Sequence, residues 1–355
     1  MSQSIRLDDS EYINLINLGL GLYKPLKGYN TKNELIEILK HKKINKKTRW
    51  TIPILLNAKE KKSNILNKEC YLVYKKKRVG KIQIKNLFKI KKKKFCKSIF
   101  NTNSINHPSV KKIYKALNFF VGGEISILKN YLKKDKYFAY NYFKQNKKIF
   151  SKYTAFTSRN ISHIGHQHIH KKIINSKHKL LICIIVSEKN KFNPDFIIQS
   201  YNLLKSREEI YKQSRIVKIY LPSLMAGPNE AYLQATYLNN MNCKSMIIGR
   251  DHAGFKNNFK KYDSQHIFNH LNNLNIKIIK TKEPLFCENC NTVFFHGIEK
   301  CKCKSKDYKN FLSIDGKNIK NFLLNNNHLM ASKYLNKLVY QYCLKNIKKL
   351  KKFKG

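Results

Sequence analysis

The chain has 355 residues, 42% of them hydrophobic and 12% aromatic, and a formal net charge of +51. That length and apolar content exclude wholesale disorder and allow a core divided over two domains. The charge alone names no partner: seven of the 72 basic residues are arginines and 65 are lysines, spread along the chain instead of gathered into the stripe that a nucleic-acid footprint makes.

In chain order, the first segment, Met1–Tyr12, carries acids and no apolar stretch, so a secretory leader is not expected. A turn follows at 23–29, where Pro25 and Gly28 sit, then a helix over Lys32–Leu39. Short apolar runs at Trp50–Leu56, Cys70–Tyr74 and Val79–Ile84 read as strands, and the lysine run 89–94 as a solvated loop. Residues 1 to about 145 therefore read as a small β-rich domain.

From about 146 the rhythm becomes strands alternating with helices, the pattern of a parallel sheet with crossovers. Strands are expected at Lys148–Phe156, Leu180–Val186, Ile216–Leu221 and Lys244–Ile248, and helices at His166–Ile174, Ser200–Lys212 and from about Ala231 to Asn239. The strongest apolar run, Leu180–Val186, suits a buried strand and is too short to cross a membrane, so a cytoplasmic location is expected.

Two segments concentrate arginine, histidine and small residues. One is Thr157-Ser158-Arg159-Asn160-Ile161-Ser162-His163-Ile164-Gly165-His166; the other is Gly249-Arg250-Asp251-His252-Ala253-Gly254. Both follow a predicted strand and are expected to open a helix, the place where open α/β sheets bind ligands. Backbone N–H groups at a helix start favour phosphate. His163 and His166, three apart, fall on one face and could donate to a departing pyrophosphate. Arg159 offers the planar grip on a tetrahedral anion that lysine lacks, and Ser158 and Asn160 add neutral hydrogen bonds. Arg250 and His252 are placed to meet the same nucleotide. His168 and His170 read as surface or core residues. No Gly-x-x-x-x-Gly-Lys-Ser/Thr sequence is present, which argues against a P-loop kinase domain.

Cys287-x-x-Cys290 followed by Cys301-x-Cys303 supplies four thiolates in one short stretch, which argues for structural Zn²⁺ and not for a disulfide framework. His296 is the alternative fourth ligand.

These residues resemble the ATP sulfurylase (sulfate adenylyltransferase) family. Its first motif, Gln-Thr-Arg-Asn-x-x-His-x-x-His, is matched from Arg159 through His166, with Thr157 in place of the glutamine and Ser158 in place of the threonine. The second, Gly-Arg-Asp-His-Ala-Gly, is matched without change by residues 249–254, and Ala226-Gly227-Pro228-Asn229-Glu230-Ala231 is similar to the family's Ala-Gly-Pro-Arg-Glu-Ala turn. The resemblance implies an α/β chain: a PUA-like β-rich domain at 1–145, a Rossmann-like nucleotidyltransferase domain with the His-x-Gly-His signature at 146–280, and a zinc-knuckle loop with a C-terminal helical segment at 281–355. It implies a transferase of sulfur metabolism that turns ATP and sulfate into adenosine 5′-phosphosulfate and pyrophosphate, reversibly, with Mg²⁺ accompanying ATP.

The same resemblance implies that Ser158, Arg159, Asn160, His163 and His166 are catalytic. These residues would bind ATP together with Thr157, Gly249, Arg250, Asp251 and His252, while Thr157, Arg159 and Ala253 take sulfate. Some members carry a zinc loop at the position of Cys287–Cys303, and a homo-oligomer is expected. The alternative from another class is a catalytically impaired relative whose cationic surface binds a polyanion or a protein.

Overall fold

A computed structural model describes residues 3–58, 65–116, 119–174, 179–187, 192–271, 273–303 and 308–352. The chain divides into two compact units. One comprises Met1–Lys148, Tyr220–Asn242 and Asp251–Lys277; the other comprises Ile149–Ile219, Cys243–Arg250 and Ile278–Gly355.

The first unit is built on a six-stranded sheet of β1 (Ser4–Arg6), β2 (Gly28–Tyr29), β3 (Leu56–Asn57), β4 (Glu69–Tyr74), β5 (Lys77–Lys89) and β6 (Phe119–Ile127). The strand order is β1-β4-β5-β6-β2, with β3 also on β6. β5 is the long central strand, antiparallel to β4 and β6, and buries Val79, Ile82, Ile84 and Phe88. Helix α1 (Asp9–Gly19) starts at a reciprocal cap. The Asp8 side chain accepts from the Glu11 N–H at 2.7 Å, and the Glu11 carboxylate accepts from the Asp8 N–H at 2.8 Å. Thr31 and Glu34 cap α2 (Lys32–His41) in the same way.

Two expectations fail in this unit. Trp50–Leu56 is a strand only at its last residue, where Leu56 opens β3: Pro53 cannot donate to a ladder, and the segment before it is held by Asn30, whose Oδ1 accepts the Ile54 N–H at 2.7 Å. The lysine run is not a loop either. It ends β5 and opens α3 (Lys92–Phe100), whose Phe95, Cys96, Ile99 and Phe100 are buried while Lys93 and Lys94 are exposed. Two further helices follow, α4 (Pro108–Lys115) and α5 (Ala139–Gln145).

The second unit carries a five-stranded sheet. β7 (Tyr153–Ser158), β8 (Lys179–Val186), β9 (Arg215–Tyr220), β10 (Ser245–Ile248) and β11 (Lys277–Lys280) run in the order β11-β10-β7-β8-β9. β7 lies between parallel partners β10 and β8, and both β8 and β10 read as near-continuous buried apolar runs, as strands covered on both faces do. β7 begins five residues later than its sequence pattern suggests because Phe150 accepts the Tyr153 N–H in a turn.

α6 (Ile164–Ile173) follows β7 directly. The helix expected at Ser200–Lys212 is two: α7 (Pro194–Lys205), started by Asn193 and Pro194, and the single turn α8 (Glu209–Lys212). α9 (Pro228–Asn240) and α10 (Asp263–His270) belong to the first unit, where Tyr232 and Phe268 stack between them.

The second unit closes with a small antiparallel sheet of β12 (Pro284–Cys287), β13 (Thr292–Phe295) and β14 (Phe311–Ser313), then α11 (Gly316–Leu324), α12 (His328–Tyr334), α13 (Lys337–Lys345) and α14 (Ile347–Lys352). Among the described residues no helix is long and apolar enough to cross a membrane.

Candidate active site and cysteine knuckle

The loop after β7 shapes itself. Ser158 is buried, and its hydroxyl donates to the Asn160 carbonyl and accepts the Asn160 N–H, each at 3.1 Å, so Ser158 forms the turn that presents Arg159. His163 is then the N-cap of α6 and not a residue within it: its Nδ1 accepts the His166 N–H at 3.3 Å. The two rings lie 3.7 Å apart, tilted by 30°, so the pair does converge.

Burial pushes the His163 imidazole down to about 4 against the opposing charge of Asp315, and pushes His166 well below its ordinary value, with His163 and His170 adding to the effect. Both rings are therefore neutral near pH 7. A neutral ring that accepts at Nδ1 carries its proton on Nε2, so His163 is a donor there.

Residues far along the chain support this loop, and the sequence reading did not find them. Tyr201 on α7 places its hydroxyl 3.1 Å from His166 Nδ1. His170 is fully buried, its Nδ1 2.8 Å from the Tyr211 hydroxyl, and burial takes its imidazole down to about 3. His168 bonds Glu299 at 2.8 Å, and Lys172 meets the same carboxylate. Gly316 lies against Asn160: a Cβ there would sit 2.3 Å from Asn160 Cγ, so any other residue at 316 would push the Asn160 amide aside. Lys320, on the same helix, lies over the Phe192 ring, and desolvation lowers its ammonium.

The second motif differs from its expected form. β10 pairs with β7 in parallel, Ile247 opposite Phe156, so Gly249 and Arg250 leave the same carboxyl-terminal end as Arg159. No helix follows at once; α10 begins only at Asp263, and the N–H groups of a helix start are absent from this loop. Arg250 is tied by Nη1 to Glu283 Oε1 at 2.5 Å, and the Ser313 hydroxyl donates to the same oxygen at 3.0 Å.

Asp251, His252, Ala253 and Gly254 fall in the first unit. There the Gly227 N–H donates to the Ala253 carbonyl at 2.9 Å. Ala253 holds φ +58° and Met225 φ +57°, left-handed conformations that cost a side-chain-bearing residue free energy and that cluster where function demands them. His252 Nε2 is 2.8 Å from Gln234 Oε1.

The Sγ atoms of Cys287, Cys290, Cys301 and Cys303 lie within 4.8 Å of one another; Cys303 is 3.6 Å from Cys287 and 3.4 Å from Cys301. Tetrahedral zinc with Zn–S bonds of about 2.3 Å sets sulfurs roughly 3.8 Å apart, so the four thiols fit a metal such as zinc. The Thr292 hydroxyl, 3.0 Å from Cys290 Sγ, lowers that thiol. His296, the alternative ligand, is exposed and outside the cluster. Leu285, Phe294 and Phe311 pack around Cys287 and Cys301.

A family model described as ATP-sulfurylase matches residues 141–344, and one described as a PUA-like domain matches residues 1–130. The chain is 26% identical over 329 residues to the sulfate adenylyltransferase of Pyrococcus abyssi, covering 90% of this chain and 84% of that protein. It is 27% identical over 295 residues to the enzyme so named in Thermococcus onnurineus, covering 81% and 77%. Among solved structures, a hexameric APS kinase from Thiobacillus denitrificans superposes with a TM-score of 0.68 at 13% identity. It covers 97% of this chain and 63% of that one, a likeness of fold.

Proposed function

The chain belongs to the ATP-sulfurylase family, and on that premise we propose that it is a sulfate adenylyltransferase, joining ATP and sulfate into adenosine 5′-phosphosulfate with release of pyrophosphate. The observation that carries the reading is the close, tilted contact of the His163 and His166 rings, 3.7 Å apart at the start of α6, one short loop beyond Arg159.

Sulfate is fully ionised at neutral pH, so no general base is needed. A sulfate oxygen attacks the α-phosphorus in line, the new O–P bond forms, and the bond from the α-phosphorus to the bridging oxygen breaks with its electron pair leaving on pyrophosphate. Positioning and charge stabilisation then supply the rate. Arg159 grips sulfate, assisted by Thr157 and the Ala253 N–H. His163 and His166 donate to the phosphates as charge grows on the leaving group. Ser158 and Asn160 hold the loop, and Gly249, Arg250, Asp251 and His252 take the nucleotide. Mg²⁺ enters with ATP as part of the substrate and neutralises the departing phosphates. Zn²⁺ on Cys287, Cys290, Cys301 and Cys303 is structural.

The proposal extends to a PUA-like domain over 1–145, a Rossmann-like catalytic domain over 146–280 and a zinc-knuckle and helical segment over 281–355, acting in the cytoplasm as a homo-oligomer. The kinase name of the structural neighbour does not transfer, since the chain has no P-loop sequence.

The test is ATP formation from adenosine phosphosulfate and pyrophosphate. Wild type should form ATP, and Arg159→Ala should lose about 10²- to 10³-fold in rate, the scale of removing one transition-state donor. A wild-type chain that forms none, yet binds RNA with a steep salt slope, would instead be the impaired, polyanion-binding relative.

A further inference from the structure

In the first unit, a buried run of hydrogen bonds settles which nitrogen of His252 carries its proton. Glu230 is 2% exposed. Its Oε2 accepts the Leu224 N–H at 3.1 Å and the Ala226 N–H at 3.2 Å, and its Oε1 accepts from Gln234 Nε2 at 3.2 Å. Gln234 lies one turn further along α9 and is equally buried.

A carboxylate offers only acceptors, so Gln234 must turn its NH₂ group toward Glu230. That leaves the amide oxygen as the atom facing His252 Nε2 at 2.8 Å. A carbonyl oxygen cannot donate, so the ring nitrogen must.

We propose that Glu230 and Gln234 are positioning residues that hold His252 with its proton on Nε2, leaving Nδ1 the acceptor of the neutral ring. The inference rests on the proposed reading, in which His252 belongs to the nucleotide site. Which edge of an imidazole accepts and which donates decides what groups of a ligand it can meet, so the bonds behind the ring select its role.

The test is Glu230→Gln, which changes one oxygen into NH₂ without changing shape. The Leu224 and Ala226 N–H groups still require an oxygen, so the new NH₂ faces Gln234. Gln234 then reverses, giving its oxygen to residue 230 and its NH₂ to His252. Nε2 must now accept, and the proton moves to Nδ1. A substitution two side chains away should therefore switch the tautomer.

Long-range ¹H–¹⁵N correlation spectra of the full chain, ¹⁵N-labelled at histidine and recorded near pH 8, about 1.5 units above an ordinary imidazole, read this directly. The His252 signal is identified by its loss in His252→Gln. Wild type should show the Nε2–H form and Glu230→Gln the Nδ1–H form. Gln234→Met, which deletes the bridge while keeping similar volume, should show a mixture. A wild-type Nδ1–H form, or an unchanged tautomer in both variants, overturns the inference.

ATP formation by Glu230→Gln should fall about tenfold or more. The loss should stay well short of the ~10⁴ that a wrong tautomer costs a ring that must move a proton, because His252 here only holds a ligand. A switched tautomer with unchanged turnover removes the positioning role. A wild type with no turnover at all sinks the proposed reading while the spectra still decide the bond run.

Discussion

The two motif loops solve one problem in opposite ways. Residues 157–166 supply their own turn and cap, whatever distant side chains add: Ser158 bonds Asn160, and His163 caps the helix that carries His166. Residues 249–254 have no helix behind them and borrow their order. Arg250 leans on Glu283, His252 on Gln234, and Ala253 on Gly227. A loop that orders itself leaves a readable pattern in consecutive residues, whereas one ordered by distant partners leaves only its own identity. Damage to the first should come from changing the loop, and damage to the second from changing its supports.

The largest effect belongs to the self-ordered loop. His163→Ala removes a phosphate donor and the helix cap together. Turnover should drop about 10²- to 10³-fold, and urea unfolding should show about 1 kcal/mol lost with the cap. If turnover is retained, the first loop is structural only.

Stripping metal from the cysteine knuckle should come next. Chelator treatment is expected to release one zinc per chain by elemental analysis and to lower the unfolding temperature, since site-forming energy is folding energy. Glu299, between Phe295 and Cys301, also holds His168 and Lys172 on α6, so the loss should reach the first motif and turnover should fall with the metal. Unchanged metal content after Cys287→Ser would remove zinc from this account.

For the borrowed loop, Glu283→Gln leaves Arg250 in place without its anionic partner. The pair is partly solvent-exposed, so a stability cost of about 1 kcal/mol is expected. The Michaelis constant for adenosine phosphosulfate should rise several-fold, about tenfold at most by analogy with other outer-shell partners. Kinetics matching wild type would show that Arg250 needs no anchor.

A separate effect is on pH, and it acts on stability and not on turnover. His163, near 4, and His170, near 3, are lowered by burial from an ordinary value of 6.5, so below pH 6.5 the unfolded chain takes up protons that the folded one refuses. Stability should be full above pH 6.5 and fall toward pH 4, by about 1 kcal/mol per pH unit for each such ring. His170→Phe should make that slope shallower in urea titrations between pH 7 and 5. An unaltered slope would mean that His170 is not a buried neutral ring.

The sequence carried much of the fold where one face or one period dominates. Leu180–Val186 is a strand because a continuous apolar run has nowhere to go but inside a parallel sheet, and Lys32 onward is a helix because Thr31 and Glu34 cap it. It misled where composition hid a face: the lysines of 91–94 masked the buried stripe of α3, and Trp50–Leu56 looked like a strand although Pro53 cannot join a ladder. The four cysteines could be read from spacing alone, and the structure brings their sulfurs together.

By itself the sequence determined the chemistry on offer: an arginine between a strand and a capped helix, two histidines three apart, four thiols in one stretch. Those features depend on neighbours within a turn or two, and local geometry follows from them. Only the tertiary structure decided the state of each group. Tyr201, Tyr211, Glu283, Gln234 and Glu230 meet partners 18 to 41 positions away along the chain, or act through such a partner, and burial keeps the rings neutral. Hydrogen-bond direction and desolvation belong to three-dimensional surroundings, and no spacing along the chain encodes them.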